Sequence, residues 1–192
     1  MRQRESAYWD SVANSREGLN DNIWKRCAIV SRLLSHIPVG ARILEIGVGQ
    51  GLAAAVTNLI TIGNIEYTGT DVSANFADFV AKRWKLNTVQ TDILALPDGP
   101  FEMIWCFDSL EHVHPDDREA GYAEIARVFG EHGVILINAP MSETQHDLEF
   151  DHPFNEADIL AINAACGTTI TKYEPYHLEQ VGRNYLWVEM TR

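Results

Sequence analysis

The chain has 192 residues, and its 15 Lys and Arg against 27 Asp and Glu give a formal net charge of −12. The hydrophobic fraction of 46% and the charged fraction of 22% are ordinary for a soluble globular protein, which excludes disordered and collagen-like chains. Because proteins that bind nucleic acids usually carry a basic face, the negative charge argues against a nucleic-acid partner.

The N-terminus, the apolar runs and the cysteines predict a cytoplasmic protein without a membrane span. No apolar segment follows the charged residues at the start, as a secretory signal would require. No apolar run approaches the roughly 18 residues that a membrane-spanning helix needs. Cys27, Cys106 and Cys166 lie far apart and form no Cys-x-x-Cys pair, so we interpret them as buried thiols in a reducing compartment.

The apolar pattern predicts helices that alternate with short strands. In chain order we predict a helix at 6–37, a strand at 41–46, a helix at 50–60, a strand at 65–70, a helix at 73–85, strands at 88–91 and 101–107, a helix at 116–129, a strand at 133–138 and a helix at 155–165. Ser73 and Asn155 are the expected N-caps. Two β-rich stretches at 168–176 and 185–190 predict a terminal antiparallel hairpin. This order is typical of a doubly wound α/β fold with a mainly parallel sheet.

A glycine-rich turn follows the first predicted strand, in the segment EIGVGQG at residues 45–51. Glycines at such a turn let the backbone bend tightly and let a ligand approach without meeting a Cβ atom. Asp71 stands at the end of the second strand, twenty residues after Gly51. A carboxylate at that place accepts hydrogen bonds from both hydroxyls of a ribose. The pattern therefore indicates a cofactor that contains a nucleoside.

The spacing of the glycines separates two classes of cofactor. A dinucleotide fingerprint G-x-G-x-x-G that starts at Gly47 would need a glycine at position 52, which is Leu52. Glu45 suits a cationic ligand better than a pyrophosphate, because phosphate prefers a helix N-terminus without a compensating acid. The sequence contains no Gly-Lys-Ser/Thr, which excludes a P-loop. An NAD-dependent oxidoreductase stays as an alternative, to be separated by the cofactor that the protein binds.

Five segments in order resemble the class I S-adenosylmethionine-dependent methyltransferases, of the small methyltransferase-domain type that includes quinone-biosynthesis enzymes. They are EIGVGQG at 45–51, TDVS at 70–73, QTDILALP at 90–97, the stretch 101–113 that ends in LEHV, and HGVILINAP at 132–140. The resemblance spans about residues 40–140. It implies a Rossmann-like methyltransferase fold with a seven-stranded sheet, and S-adenosylmethionine as the cofactor. It also implies methyl transfer to a small molecule, with O-methylation preferred slightly over N-methylation.

The resemblance further implies a single methyltransferase domain over residues 1–192 and assigns its parts. Residues 1–39 would form a helical cap, residues 40–140 the cofactor-binding core, and residues 141–192 a substrate-side loop, the last helix and the terminal strands. Tyr8 and Trp9 in the cap would either wall the active site or pack the first helix onto the sheet. The implied cofactor contacts are Glu45, Gly47, Gly49, Gly51, Asp71, Val72, Asp92, Ile93, Phe107 and Leu110. Asp92 would meet the adenine amino group, and Ile93 would pack on the ring.

The candidates for the general base that a hydroxyl acceptor would need are four histidines, His112, His114, His146 and His152. His112, in the LEHV segment, matches a position that shapes the cofactor pocket more often than it transfers protons. His146 and His152 follow the fifth strand, where the family places substrate-facing residues, and Asp147 or Asp151 would orient them. The same loop could equally be a solvated acidic segment, or hold a divalent metal ion. We predict no metal.

Residues 107–110 read FDSL and lack the Asn/Asp-Pro-Pro-Tyr that marks DNA adenine-amino methyltransferases at this place. This argues, independently of the net charge, against base methylation of DNA. Two alternatives remain beside a small-molecule methyltransferase. One is a non-catalytic S-adenosylmethionine-binding scaffold or regulatory subunit. The other is a protein methyltransferase, since an acidic surface would suit a basic tail.

Overall fold

The computed structural model describes residues 2–14, 23–33, 36–38, 40–60, 65–141, 150–179 and 182–192. The helices are α1 (Arg2–Asn14), α2 (Ile23–Leu33), α3 (Leu52–Ile60), α4 (Ala74–Trp84), α5 (Pro115–Val128) and α6 (Glu156–Cys166). The strands are β1 (Arg42–Ile46), β2 (Glu66–Asp71), β3 (Asn87–Gln90), β4 (Phe101–Phe107), β5 (Phe129–Pro140), β6 (Thr169–Leu178) and β7 (Arg183–Thr191). The chain divides into two compact units, Met1–Asp92 and Ile93–Arg192.

The strands confirm the predicted seven-stranded sheet, whose order is β3-β2-β1-β4-β5-β7-β6. In the first unit, β2 pairs in parallel with both β1 and β3. In the second unit, β4 and β5 are parallel, and β7 is antiparallel to β5 and to β6. The C-terminal hairpin therefore forms as predicted. Its inner strand β7 carries the buried run 185–188, whereas edge strand β6 is half-buried or exposed along its whole length.

The predicted helix ends are largely confirmed, and local caps explain them. Ser73 caps α4, because its hydroxyl accepts from Phe76 N at 3.2 Å. Asn155 caps α6 through a capping box: its side chain accepts from Ala157 N at 2.8 Å, and Asp158 accepts from Asn155 N at 2.9 Å. Such paired caps satisfy backbone donors that the first helical turn leaves without partners.

Two boundaries differ from the predictions. The stretch predicted as one helix over residues 6–37 contains two described helices, α1 and α2, and residues 15–22 between them lie outside the described part of the chain. Strand β5 begins at Phe129 instead of residue 133, because Phe129 already pairs with Phe101 of β4. The two glycines after Phe129 resemble a turn in the sequence, and only the partner strand makes them part of the ladder.

Large aromatic side chains build the core of the second unit. Trp105 and Phe107 of β4 and Trp187 of β7 are buried and stack in series, with ring centroids 5.9 and 5.8 Å apart. Cys106 and Cys166 are free thiols within this unit, buried as predicted. Burial raises the pKa of Cys166 to about 11, so this thiol is protonated and unreactive near neutral pH. None of the described helices is both long and apolar enough to cross a membrane.

Candidate functional site

The predicted site residues divide between the two units. The first unit holds Tyr8, Trp9, Glu45, Gly47, Gly49, Gly51, Asp71, Val72 and Asp92, and the second holds Ile93, Phe107, Leu110, His112 and His152. His146, together with Asp147, lies outside the described residues. The two halves are therefore described one after the other.

The glycine-rich turn joins β1 to α3, and all three of its glycines have left-handed backbone. Their φ angles are +75° at Gly47, +48° at Gly49 and +67° at Gly51. The N–H groups of Gly47 and Val48 both donate to the carbonyl of Thr70, at 2.8 and 3.0 Å, which anchors the turn to the end of β2. A side chain at such φ values costs about 1–2 kcal/mol, so the shape of the turn itself requires glycine.

Helix α4 packs against this turn from one side. A Cβ atom at Gly51 would lie 2.7 Å from Val80 Cγ2, closer than two carbon atoms can approach. Trp84, at the end of the same helix, donates from its ring N–H to the carbonyl of Gln50 at 3.0 Å. The third glycine is therefore needed for packing as well as for its backbone angle.

Asp71 ends β2 beside the glycine turn, with 8% of its surface exposed. Its Oδ2 accepts from the N–H of Gly49 at 3.0 Å, and its Oδ1 accepts from the N–H of Ser73 at 2.9 Å. An ionised carboxylate has about four lone-pair sites, so an oxygen that accepts from one N–H can also accept from a second donor such as a hydroxyl group. The structure thus brings together the two features that the sequence singled out, and it fixes the carboxylate in place.

Glu45 is buried in β1, and its partner is a residue that the sequence analysis missed. The hydroxyl of Tyr67 donates to Glu45 Oε2 at 2.6 Å. Burial, and then the negative charge of Glu45, hold the pKa of Tyr67 well above its usual range, so the phenol keeps its proton. The parallel register sets Glu45 opposite Gly69, and a Cβ atom at Gly69 would lie 2.7 Å from the Tyr67 oxygen. This register, which the sequence does not reveal, is what pairs the two side chains.

Replacing Tyr67 with phenylalanine tests this pair. We expect the free energy of unfolding to fall by about 1–3 kcal/mol, because a buried carboxylate loses a hydrogen-bond donor. Urea denaturation followed by circular dichroism measures the change. Tyr173→Phe removes a hydroxyl from an exposed position and should alter stability by less than about 0.5 kcal/mol. Equal stability of the Tyr67 variant and the wild-type protein would show that the bond contributes nothing.

Helix α1 is attached to the turn that follows Asp71. Asp10 Oδ1 accepts from Ser73 Oγ at 2.6 Å and from Asn75 N at 3.1 Å. One turn earlier, the hydroxyl of Ser6 donates to the carbonyl of Val72 at 2.9 Å. The helix thus carries Tyr8 and Trp9 next to these contacts, with their rings edge to face at 5.0 Å. Their predicted role as a wall of the site stays a prediction.

Asp92 and Ile93 follow β3 at the boundary of the two units. The N–H of Thr91 donates to the carbonyl of Asp71 at 3.0 Å, which ties the segment just before Asp92 to the end of β2. Ile93 begins a short 3-10 turn and packs against α5, where a Cβ atom at Gly121 would lie 3.0 Å from it. The predicted contacts of both residues with a cofactor stay predictions.

In the second unit, the LEHV segment forms a 3-10 turn after β4 and places His112 between two carboxylates. His112 Nδ1 lies 2.9 Å from Asp151 Oδ1, and Nε2 lies 3.9 Å from Glu111 Oε1. The side chains of Asp151 and Glu111 are only 7% and 3% exposed. The sequence predicts that Asp147 or Asp151 orients His146 or His152. In the structure Asp151 contacts His112, and the predicted roles of His146 and His152 as bases stay predictions.

His152 belongs to the same neighbourhood but is held differently. Its backbone N–H donates to the carbonyl of Glu111 at 2.9 Å, and its ring lies edge-on to that of His114 with centroids 5.2 Å apart. Burial first, and then the positive charges of its neighbours, lower the pKa of His152, which favours the neutral imidazole. Among the described residues, no three His, Cys, Asp or Glu side chains are arranged to hold a metal ion.

A polar network that the sequence analysis missed lies at the ends of β4 and β5. Tyr176 donates to Asn138 Oδ1 at 2.6 Å, and Asn138 Nδ2 donates to Asp108 Oδ1 at 3.2 Å. Asp108 has a φ of +51°, an uncommon conformation for a residue other than glycine, and its N–H donates to the carbonyl of Asn138 at 2.8 Å. Such strained residues gather at functional sites. The one signal in the sequence is a polar asparagine that interrupts an apolar strand.

Comparison with known proteins assigns this sequence to a domain type. Residues 43–133 match the family model described as "Methyltransferase domain". An O-methyltransferase of Pyrenophora dematioidea is 29% identical over 130 residues, covering 63% of this chain and 47% of that protein. The chain therefore spans about half the length of this curated relative.

Two solved structures share the fold over nearly the whole chain. The N-methyltransferase NodS from Bradyrhizobium japonicum WM9, in complex with S-adenosylhomocysteine, is similar with a TM-score of 0.80 at 16% identity, covering 98% of each chain. The 1,6-didemethyltoxoflavin-N1-methyltransferase of Burkholderia thailandensis, with 1,6-didemethyltoxoflavin and S-adenosylhomocysteine bound, has a TM-score of 0.75 at 20% identity. It covers 98% of this chain and 87% of that one. At these identities the likeness is one of fold.

Proposed function

We propose that this chain, which contains a methyltransferase domain at residues 43–133, is a class I S-adenosylmethionine-dependent methyltransferase and transfers a methyl group from S-adenosylmethionine to a small-molecule acceptor. The observation that carries this proposal is the carboxylate of Asp71, held against a left-handed glycine turn. Glycines carry no side chain that would block a ligand, and a fixed carboxylate beside them can accept hydrogen bonds from ribose hydroxyls. The two features together suit a ligand that contains a ribose. S-adenosylhomocysteine is bound in both of the solved structures described above.

The donor groups in the first unit fit this cofactor chemically. Asp71 would accept hydrogen bonds from the ribose hydroxyls, and Glu45 would supply negative charge for a cationic ligand. The glycine turn would let the cofactor approach the protein backbone closely. Asp92, Val72, Ile93, Phe107 and Leu110 are proposed as further contacts on the strength of the resemblance alone. When bound, S-adenosylmethionine supplies a methyl carbon that is electrophilic because it is attached to a positively charged sulfur.

We propose a small acceptor that is methylated on oxygen in preference to nitrogen. The support is the imidazole of His112 beside the buried carboxylate of Asp151, since a hydroxyl must lose its proton whereas a neutral amine already has a lone pair to offer. The curated relative is named an O-methyltransferase, while both solved structures are of N-methyltransferases. Tyr8 and Trp9 are proposed to line the acceptor side.

Calorimetry with S-adenosylhomocysteine, followed by a transfer assay, tests the proposed function. We expect binding and a rise in melting temperature, because a ligand at a hundred times its Kd stabilises the folded state by about 2.7 kcal/mol. Mass spectrometry of separate pools of phenols and of amines, incubated with S-adenosylmethionine, should then show a gain of one methyl group in the phenol pool. A rise with NAD and none with S-adenosylhomocysteine would overturn the proposal.

A further inference from the structure

A buried arginine, Arg118, and a buried aspartate side chain, Asp151, both contact the turn that carries His112. We propose that Asp151 and Arg118 are positioning residues that hold His112 with its proton on Nδ1, so that Nε2 takes the proton of an acidic hydroxyl on the acceptor. The proposal deepens the proposed function and rests on it. It favours an acceptor with a phenol-like hydroxyl group.

The contact between Asp151 and His112 sets the tautomer. Nδ1 and Oδ1 are 2.9 Å apart, and the carboxylate is almost fully buried. An ionised carboxylate accepts hydrogen bonds only, so the nitrogen that faces it carries the proton and the other ring nitrogen is the basic one. The N–H is not well aligned on this oxygen, so the contact depends on the short distance and on the charge of the carboxylate.

Arg118 of α5 explains why Asp151 lies at this place. Its guanidinium, within a residue that is 8% exposed, donates to both carboxylate oxygens of Asp158 at 3.0 Å, to the carbonyl of Pro153 at 2.7 Å and to that of His152 at 3.4 Å. Its Nε donates to the carbonyl of Val113, which follows His112, at 3.1 Å. One side chain therefore ties the segment that contains Asp151 to the turn that contains His112.

A backbone hydrogen bond also ties these two segments together, beside the charged groups near the imidazole. The bond from His152 N to the carbonyl of Glu111 fastens the residue after Asp151 to the residue before His112. The described charged groups near the ring include Asp151 at Nδ1 and Glu111 near Nε2, and His152 is close enough for its charge to interact. Both carboxylates stabilise the imidazolium that forms when Nε2 accepts a proton.

The proton transfer balances within the protein and the acceptor. The acceptor O–H bond breaks, its electron pair stays on oxygen, and the proton moves to Nε2 of His112. The oxygen is then the nucleophile for the methyl group, and the imidazolium later releases its proton to water. A phenol is far more acidic than an alcohol, so this proton transfer to an imidazole is easier from a phenol-like hydroxyl.

Long-range nitrogen–proton NMR of the ¹⁵N-histidine-labelled full chain tests the positioning. The His112 signals are assigned by their loss in His112→Gln. In the wild-type protein at neutral pH, Nε2 of His112 should resonate as an unprotonated nitrogen. In Asp151→Asn, whose amide can donate as well as accept, the tautomers should mix and this signal should shift toward the protonated range. Asp116→Asn is the matched control: Asp116 is exposed and lies 3.6 Å from His114, so the His114 signals should move and the His112 signals should not.

A second variant tests the positioning role of Arg118. Arg118→Lys keeps the charge but loses the planar fork, so the same mixing of His112 tautomers is expected. If this variant does not fold, the Asp151→Asn measurement still decides. An unchanged His112 tautomer in Asp151→Asn would overturn the positioning role. Because this readout needs no cofactor, failure of the proposed function is recognised separately, by wild-type protein that does not bind S-adenosylhomocysteine.

Discussion

Replacing Asp71 with alanine should weaken the binding of S-adenosylhomocysteine at least about tenfold, which corresponds to about 1.4 kcal/mol. The carboxylate is the group on β2 that would accept from both ribose hydroxyls, and hydrogen bonds to a charged group contribute more than those between neutral groups. The loss should be larger than for an ordinary surface acid, because Gly49 N and Ser73 N already hold the carboxylate in position and no side-chain entropy is spent on binding.

Isothermal titration calorimetry measures this change in affinity, and two variants make the result specific. Asp78→Ala removes an exposed carboxylate of α4 that pairs with Lys82 at 2.7 Å, and it should leave the Kd unchanged. Asp71→Asn keeps the shape of the side chain but loses acceptor capacity and charge, so its Kd should lie between those of the wild type and Asp71→Ala. Equal affinity of Asp71→Ala and the wild-type protein would remove the ribose assignment.

Replacing Gly51 with alanine should destabilise the fold by about 2–5 kcal/mol. About 1–2 kcal/mol comes from placing a Cβ atom at a φ of +67°, and about 1–3 kcal/mol comes from overpacking against Val80. The added carbon would lie 2.7 and 2.9 Å from the two methyl groups of Val80, so α4 or the glycine turn has to shift. Since the same turn borders Asp71, cofactor affinity should fall as well.

Gly40 offers a matched control for Gly51. Its φ is +79°, but within the described part of the chain no atom beyond its sequence neighbours lies within 4 Å of the place a Cβ would occupy. Gly40→Ala should therefore cost only the conformational part, about 1–2 kcal/mol in urea denaturation. The double variant Gly51→Ala/Val80→Ala should recover part of the packing cost relative to the sum of the single changes. Equal destabilisation by Gly40→Ala and Gly51→Ala would show that the contact with Val80 is unimportant.

The predictable features of the site are those that depend on only a few neighbouring residues. The glycine turn at 45–51 and the acid at the end of β2 were found because glycine is required locally by positive φ, and because a strand ends where its apolar run ends. The caps at Ser73 and Asn155 were predictable for the same reason, since a cap bonds to a backbone N–H two or three residues later.

The partners of the charged side chains were not predictable in this way. From the sequence, Asp151 is predicted to orient His146 or His152, because these histidines are its neighbours along the chain. In the structure it contacts His112, which is thirty-nine residues earlier, because Arg118 gathers the two segments. Tyr67 was missed although it stands in a correctly predicted strand, since its value to Glu45 depends on the register between β1 and β2.

The amino-acid sequence by itself thus determined the order of strands and helices, the glycine turn, the carboxylate after β2 and the resemblance to a methyltransferase domain. These depend on backbone angles, apolar periodicity and spacing, which act over a few residues. Only the tertiary structure showed that Asp151 contacts His112 and that Tyr67 donates to Glu45. It also showed that Asn138 joins Tyr176 to Asp108. Those pairings depend on strand register and on contacts between residues far apart in the chain, and the free energy that selects them exists only once the core has packed.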